Sequence, residues 1–237
     1  MLSMKCILPI SHPSFKSRNN PIKPYVINTK IGQLSCFEIP TKQLLDDNII
    51  KEFSKFFCKN FASLTEDPYW LSYNKKSHQK DIAKEFSRYL RNKIVKDDGN
   101  LTMLIATDEN NKLQGACFSY AFDEIPFVKN TTCYIDSLAI NLKYRGFGVG
   151  KNFVNKTCEI NKNTFTDVFL RGEALAYKFY KKLGFSKLNK TNPGQRFVAR
   201  FIESSTGEGI EYLNLLTKPL QENKPRWYSI FDYKTSS

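Results

Sequence analysis

The sequence predicts one mixed α/β domain, on three observations. Four segments repeat apolar residues at helical spacing, several short runs read as strands, and no internal repeat or long linker interrupts the 237 residues. A chain of this length is ample for a hydrophobic core. Apolar residues at 41% and aromatics at 14% exclude a disordered or collagen-like chain. No stretch approaches the roughly 20 apolar residues of a membrane-spanning helix. Met1 to Ile10 offers only a short apolar patch broken by Lys5 and Pro9, without a signal-peptide core or a small-residue cleavage site. A cytoplasmic enzyme or binding protein is the expectation.

In chain order, residues 1–30 are rich in Pro, Ser, Asn and Lys and lack periodicity, so an irregular basic arm is expected. Residues 31–39 read as a strand. Residues 44–61 carry Leu45, Ile49, Phe53, Phe56 and Phe57 near helical spacing, and 77–95 repeat the pattern through Ile82, Phe86, Leu90 and Ile94. Residues 62–74 between them read as a loop with aromatic anchors. Residues 101–107 and 112–122 read as strands joined by Asp108-Glu109-Asn110-Asn111, a short turn by composition. A strand is expected at 131–140, a helix at 148–160, a short strand at 167–170 and a helix at 173–183. Phe185 opens a late strand, and 196–203 with 210–216 read as a hairpin around Ser-Ser-Thr-Gly-Glu-Gly. The expected organisation is an arm at 1–30, a domain at 31–218 and an extended tail at 219–237 that holds Trp227 and Tyr228.

Cysteine and histidine usage removes several chemistries. Cys6, Cys36, Cys58, Cys117, Cys133 and Cys158 are scattered, and no pair has zinc-site or dithiol spacing. They read as reduced residues packed like small hydrophobes. The two histidines, His12 and His78, lie in polar segments outside any motif, so neither a metal site nor a His-based nucleophilic triad is expected.

The net charge of +13 is concentrated: residues 1–30 carry +5, 31–140 carry −1, 141–200 carry +10 and 201–237 carry −1. Such a block suits an anionic partner, whether nucleic acid or a phosphate-bearing small molecule, although part of it is a solvated lysine-rich helix face.

Within the basic block, the strand ending Leu138-Ala139-Ile140 leads into Asn141-Leu142-Lys143-Tyr144-Arg145-Gly146-Phe147-Gly148-Val149-Gly150 and then a helix. Glycines at a strand-to-helix turn let backbone N–H groups converge, and the positive helix end adds to their field, which suits a pyrophosphate. Lys143, Arg145 and Lys151 surround the turn with charge. The alternating glycines are not the dinucleotide fingerprint, since position 151 is Lys151, and no P-loop Lys-Ser/Thr pair is present. Alone, the glycines also fit a turn made for tight packing. A second element follows: Leu175, Phe179 and Leu183 form one helical stripe, Ala176 and Tyr180 the next, and Gly184 suits a left-handed end leading into Phe185. Alone, Tyr180 reads as a core aromatic.

Together the two elements resemble the GNAT superfamily of acyl-CoA-dependent N-acyltransferases. Its Arg/Gln-x-x-Gly-x-Gly/Ala signature appears as Arg145 to Gly150, and its Ala-x-x-x-Tyr-x-x-x-Gly-Phe helix as Ala176, Tyr180, Gly184 and Phe185. The resemblance covers 31–218 in outline and 134–185 in motif. It implies a mostly antiparallel sheet of six to seven strands flanked by about four helices, with two splayed parallel strands, 131–140 and 167–170. Between them the pantetheine arm of acetyl-CoA inserts. It further implies that Leu138, Ala139 and Ile140 bond that arm, that Arg145, Gly146, Phe147, Gly148, Val149, Gly150 and Lys151 form the pyrophosphate turn, and that Ala176 borders the cofactor. Tyr180 becomes the acid for the CoA thiolate and Asp136 the candidate base, with Glu124 behind it. Asp136 also reads as a strand residue satisfied by its neighbours. Where many members carry Asn, this chain has Glu173.

The implied function is acetyl transfer from acetyl-CoA to a primary amine, on a small molecule or a protein, without a metal. The acceptor is not legible; the resemblance implies that the first two helices and their connection, which here holds Glu66, Asp67, Tyr69, Trp70 and Tyr73, bind it together with the late hairpin. Two other functions remain: a non-catalytic CoA-binding regulator on the same fold, and a nucleic-acid-binding protein. The charged block coincides with the expected cofactor turn and lacks an RNA-motif aromatic pattern, which disfavours nucleic acid. A monomer or homodimer without membrane association is expected.

Overall fold

The computed structural model describes residues 23–39, 41–96, 101–122, 132–188 and 213–221. Its strands are β1 (Tyr25–Thr29), β2 (Gly32–Ile39), β3 (Thr102–Thr107), β4 (Leu113–Ala121), β5 (Thr132–Ile140), β6 (Asp167–Glu173), β7 (Ser186–Lys187) and β8 (Leu213–Pro219). The helices are α1 (Thr41–Leu44), α2 (Asp47–Ala62), α3 (Pro68–Leu71), α4 (Lys76–Val95), α5 (Val149–Asn161) and α6 (Ala174–Lys182). The strand order is β1-β2-β3-β4-β5-β6-β8-β7. Within it β1–β2, β2–β3, β3–β4, β6–β8 and β7–β8 pair antiparallel, and β5–β6 pairs parallel. The mixed, mostly antiparallel α/β architecture expected from the sequence is therefore present.

The chain divides into two units, one of residues 1–119 and 137–154, the other of 120–136 and 155–237. In the first, Asp46 caps α2 by accepting the Asn48 N–H at 2.7 Å. Its buried face, Ile50, Phe53, Phe57 and Cys58, packs on the Ile82, Phe86, Leu90 and Ile94 stripe of α4. The Phe57 and Phe86 rings meet edge to face at 5.8 Å. Strands β3 and β4 are buried along their whole length, which is why they read as continuous apolar runs. Their turn is held by Asp108, whose Oδ1 accepts from Asn110 N and Lys112 N, each at 3.0 Å, while Asn111 takes a left-handed φ of 56°. A Cβ at Gly115 would lie 3.0 Å from the Phe153 ring and 3.1 Å from Ile140 Cδ1. The bare backbone of β4 is thus what seats α5 beside the end of β5.

In the second unit β6 is central. It pairs with β5 from Thr132↔Asp167 to Ile135↔Leu170 and with β8 from Asp167↔Pro219 to Glu173↔Leu213. The β5–β6 ladder stops at Leu170, yet β5 continues to Ile140 and β6 to Glu173. This is the splay expected of the parallel pair. Phe122, Phe169 and Phe165 are fully buried around it.

Four expectations change. Tyr25–Thr29 are not irregular: they form β1 in a two-residue hairpin with β2, held by Thr29 Oγ1 donating to Gly32 O at 2.6 Å. With that hairpin the described residues form eight strands, where six to seven were expected. The 62–74 loop contains α3, because Asp67 caps it (Tyr69 N to Oδ1, 2.8 Å) and Pro68 opens it. Lys218 and Pro219 end β8, and Leu220 N donates to Thr166 O at 2.8 Å, so ordered pairing runs past the expected domain edge at 218. The expected strand at 196–203, Glu124, Trp227 and the rest of the arm and tail lie outside the described residues. Among those residues no helix is long and apolar enough to cross a membrane, and no cluster suits a metal ion.

Cys36, Cys58, Cys117, Cys133 and Cys158 are buried thiols packed in the core, as the sequence reading expects. Burial pushes the thiols of Cys36 and Cys58 up to about 12 and that of Cys158 to about 11. An unfolded thiol titrates near 8.5, so the stability from keeping these groups neutral is complete below that pH and lost as pH rises toward the folded values. The unfolding free-energy difference between wild type and Cys58→Ala should therefore narrow by up to about 1.4 kcal/mol per pH unit above about pH 8.5. Urea titrations at pH 7.5, 9 and 10 read it, and a constant difference would contradict a thiol held protonated.

Candidate functional site

In the first unit, Asn141 ends β5 and caps a single 3₁₀ turn, Leu142–Tyr144, by accepting the Lys143 N–H at 3.2 Å. The chain then reverses through Gly146 and Gly148 at φ of 84° and 82°. A Cβ at either position would meet no atom within 4 Å, so backbone handedness rather than crowding requires glycine, and the turn faces open space. The Asn152 N–H donates to Gly148 O at 2.9 Å as α5 begins. The N–H groups of Val149, Gly150 and Lys151 precede that bond, where a helix has no internal acceptors for them. No acidic side chain occupies this first turn. Gly146, Gly148 and Lys151 are exposed, and Phe147 and Gly150 are partly so, while Val149 is buried and anchors the helix. Donors and the positive end of a 13-residue helix thus surround an open turn, which fits a diphosphate.

Arg145 does not point its charge freely at this turn. Its Nε donates to Ile140 O at 2.8 Å, and its Nη2 to Asn60 O at 3.0 Å and Ser63 Oγ at 3.1 Å. The guanidinium therefore bolts the end of β5 to the C-terminal turn of α2. Desolvation lowers its pKa, and among the described residues no carboxylate pairs with it. The negative end of α2 supplies the compensating field instead. Lys143 Nζ lies 4.7 Å over the Tyr144 ring. Of the strand residues, Ala139 and Ile140 are buried and Leu138 half-buried.

In the second unit, β6 passes into α6 with no intervening loop, and Glu173, at the N-cap, makes no side-chain capping bond. Ala176 is half-buried and Tyr180 buried at 8% exposure. The helix ends in a Schellman motif: Phe185 N donates to Tyr180 O at 3.1 Å and Gly184 N to Lys181 O at 3.0 Å, with Gly184 at φ 86°. The Tyr180 and Phe185 rings meet at 5.8 Å, the apolar contact that accompanies this motif. Lys218 Nζ donates to Leu183 O at 2.8 Å and closes the same end. The spacing Tyr-x-x-x-Gly-Phe is thus one physical unit. A Cβ at Gly172 would lie 3.2 Å from two Tyr180 ring carbons and from Leu216 Cδ1, so the missing side chain sets the ring's position.

Asp136, half-buried on β5, accepts the Tyr120 O–H on Oδ1 at 3.2 Å. Sequence reasoning missed Tyr120, which lies in a continuous apolar run; its signal is the cross-strand match with Tyr134, whose ring lies 5.7 Å away. In the α2–α4 connection, Trp70 packs between Phe61 (5.0 Å) and Phe86 (5.5 Å), and the Tyr69 O–H donates to Glu85 Oε2 at 2.8 Å. Burial and Glu85 push the Tyr69 phenol above its ordinary range. Tyr73 is buried, Asp67 is spent on capping α3, and Glu66 is exposed. Packing thus accounts for Trp70 and Tyr73.

A family model described as the acetyltransferase (GNAT) family matches residues 64–185. An acetyltransferase of the GNAT family from Staphylococcus aureus Mu50 is similar in fold, with a TM-score of 0.51, 14% identity, and 79% of this chain and 99% of that one covered. A protein from Pyrococcus horikoshii OT3 gives a TM-score of 0.51 at 13% identity, covering 73% and 92%. PaiA N-acetyltransferase from Thermoplasma acidophilum, in complex with coenzyme A, gives 0.49 at 14% identity, covering 78% and 98%. At these identities the likeness concerns fold alone. No curated protein matches the sequence significantly.

Gly172→Ala should push the Tyr180 ring and Leu216 from their places and destabilise the protein by about 1–3 kcal/mol, the usual cost of overpacking. Chemical denaturation reads the loss, and an unchanged midpoint would show that the ring is not confined there.

Proposed function

The chain belongs to the GNAT acetyltransferase family, and from that premise we propose that it transfers an acetyl group from acetyl-CoA to a primary amine by direct attack. The observation that carries the reading is the open turn at Gly146–Lys151, whose left-handed glycines and acid-free helix start suit a diphosphate. Acetyl-CoA supplies an activated thioester, whose C–S bond is replaced by the C–N bond of the acetylated amine.

In this reading, N–H groups from Gly146 to Lys151 hold the diphosphate, and backbone groups of Leu138, Ala139 and Ile140 hold the pantetheine arm and polarise the thioester carbonyl. The small Ala176 side chain leaves room beside the arm. Tyr180 gives its phenolic proton to the departing thiolate and regains one from solvent. Asp136, oriented by the Tyr120 hydroxyl, takes the proton released from the amine, directly or through water. The exposed Glu66 and the glutamate partner of Tyr69 give the α2–α4 connection an acidic character suited to a cationic amine.

The test pairs binding with turnover. Acetyl-CoA at about 100 times its dissociation constant should stabilise the protein by about 2.7 kcal/mol, read as a rise in Tm. Gly148→Val should abolish the rise by forcing a β-branched residue to φ 82°. Against a panel of amines, Tyr180→Phe should lower kcat by about 10²–10⁴-fold with KM for acetyl-CoA nearly unchanged. No thermal shift at millimolar acetyl-CoA would overturn the proposal.

A further inference from the structure

We infer that Arg145 couples occupancy of the phosphate turn to the arrangement of the α2–α4 connection, so that coenzyme A bound at Gly146–Lys151 is felt at Trp70. The inference rests on the proposed function and goes beyond it, because it makes Arg145 a positioning residue rather than a phosphate ligand. Its three bonds join two elements: one goes to Ile140 O, directly before the turn, and two go to Asn60 O and Ser63 Oγ at the end of α2, which lie 85 and 82 residues before Arg145. Ser63 Oγ also donates to Asn60 O at 2.8 Å, so the guanidinium holds a small closed network at the helix end. From there the physical chain is short. Phe61 lies between Asn60 and Ser63, its ring meets Trp70 at 5.0 Å, and its carbonyl accepts the N–H groups of Leu64 and Thr65. The far end of the connection is tied to the same turn of α2 by Asn74 Nδ2, which donates to Ala62 O at 3.2 Å.

The charge balance gives this network a reason to respond. Arg145 is half-buried, is paired with neutral oxygens only, and has its Nη1 buried without a hydrogen bond among the described residues. Among the described residues its positive charge is offset by the weak field of α2's C-terminus rather than by a carboxylate. A diphosphate arriving beside the turn brings two or more negative charges next to this desolvated cation, and any pull on the guanidinium is transmitted through its rigid fork to Asn60 and Ser63. A lysine would preserve the charge but could not bond Ile140 O and the α2 end together, so charge and bracing are separable.

The sequence holds two tryptophans, so Trp227→Phe in the full chain leaves Trp70 as the sole indole reporter. Coenzyme A is titrated into this protein with Trp70 emission and calorimetric heat followed in parallel. The expected result is an emission change that saturates with the same dissociation constant as the heat. Adding Arg145→Lys should leave measurable heat of binding, weakened within the roughly 5–150-fold span of a coupling between sites, while Trp70 emission becomes flat. Should Arg145→Lys fail to fold, Ser63→Ala decides the point, since it removes one bond at the α2 end and leaves the turn intact. It should at least halve the emission change with a smaller effect on affinity. A full Trp70 response in either folded variant, or heat without emission change in the Trp227→Phe protein, overturns the coupling while leaving cofactor binding in place. Absence of heat overturns the functional reading itself, and the coupling with it.

Discussion

The parallel pairing of β5 with β6 lasts only from Thr132↔Asp167 to Ile135↔Leu170, and the placement of the chemistry follows from where it ends. Past that point each strand, released from the other, leads by chain connectivity into one half of the candidate machinery. Strand β5 runs on through Leu138, Ala139 and Ile140 into the glycine turn and α5. Strand β6 stays paired with β8 as far as Glu173 and runs without a loop into α6, which carries Tyr180. A longer ladder would have satisfied the backbone of Leu138 to Ile140 by strand pairing, the same groups that the proposed function assigns to the pantetheine arm.

Both halves rely on glycine, but for different reasons. At Gly146 and Gly148 the space is open and the left-handed φ alone makes the demand. At Gly172 and Gly115 φ is ordinary and crowding makes it, since a methyl group would press on the Tyr180 and Phe153 rings at 3.2 and 3.0 Å respectively. The first pair shapes the turn to which the proposed function assigns the diphosphate, and the second sets the position of side chains. Arg145 is of a third kind, a charge used for its geometry: desolvation is accepted because three oxygens and a helix end receive its fork.

Much of this was legible in the sequence, and the part that was not has physical causes. Four helices and most strands follow from apolar periodicity, and the two glycine-bearing motifs are legible because their spacing is itself a hydrogen-bonding pattern, as the Schellman end of α6 shows. Strand β1 escaped because its alternation is half-exposed and its turn, Lys30-Ile31, carries no turn composition. The capping role of Asp67 is encoded in Asp67-Pro68, but the aromatic residues around it carry the stronger local pattern, that of a loop. The bonds of Arg145 to Asn60 and Ser63 and the approach of Tyr120 to Asp136 are tertiary, and no local pattern encodes them.

The nine-residue helix α6 is too short to persist alone, and its last turn is closed by Lys218, 35 residues beyond the Leu183 carbonyl it binds. Strand β6, which feeds the helix, likewise completes its pairing only with β8. During synthesis the first unit's helices and hairpins can therefore form from local contacts, whereas Tyr180 must wait until Leu213–Pro219 have left the ribosome. A nascent chain halted between those points would have made its glycine turn but not the helix that seats Tyr180, so the order of emergence holds back the proposed acid until the β6–β8 ladder is complete.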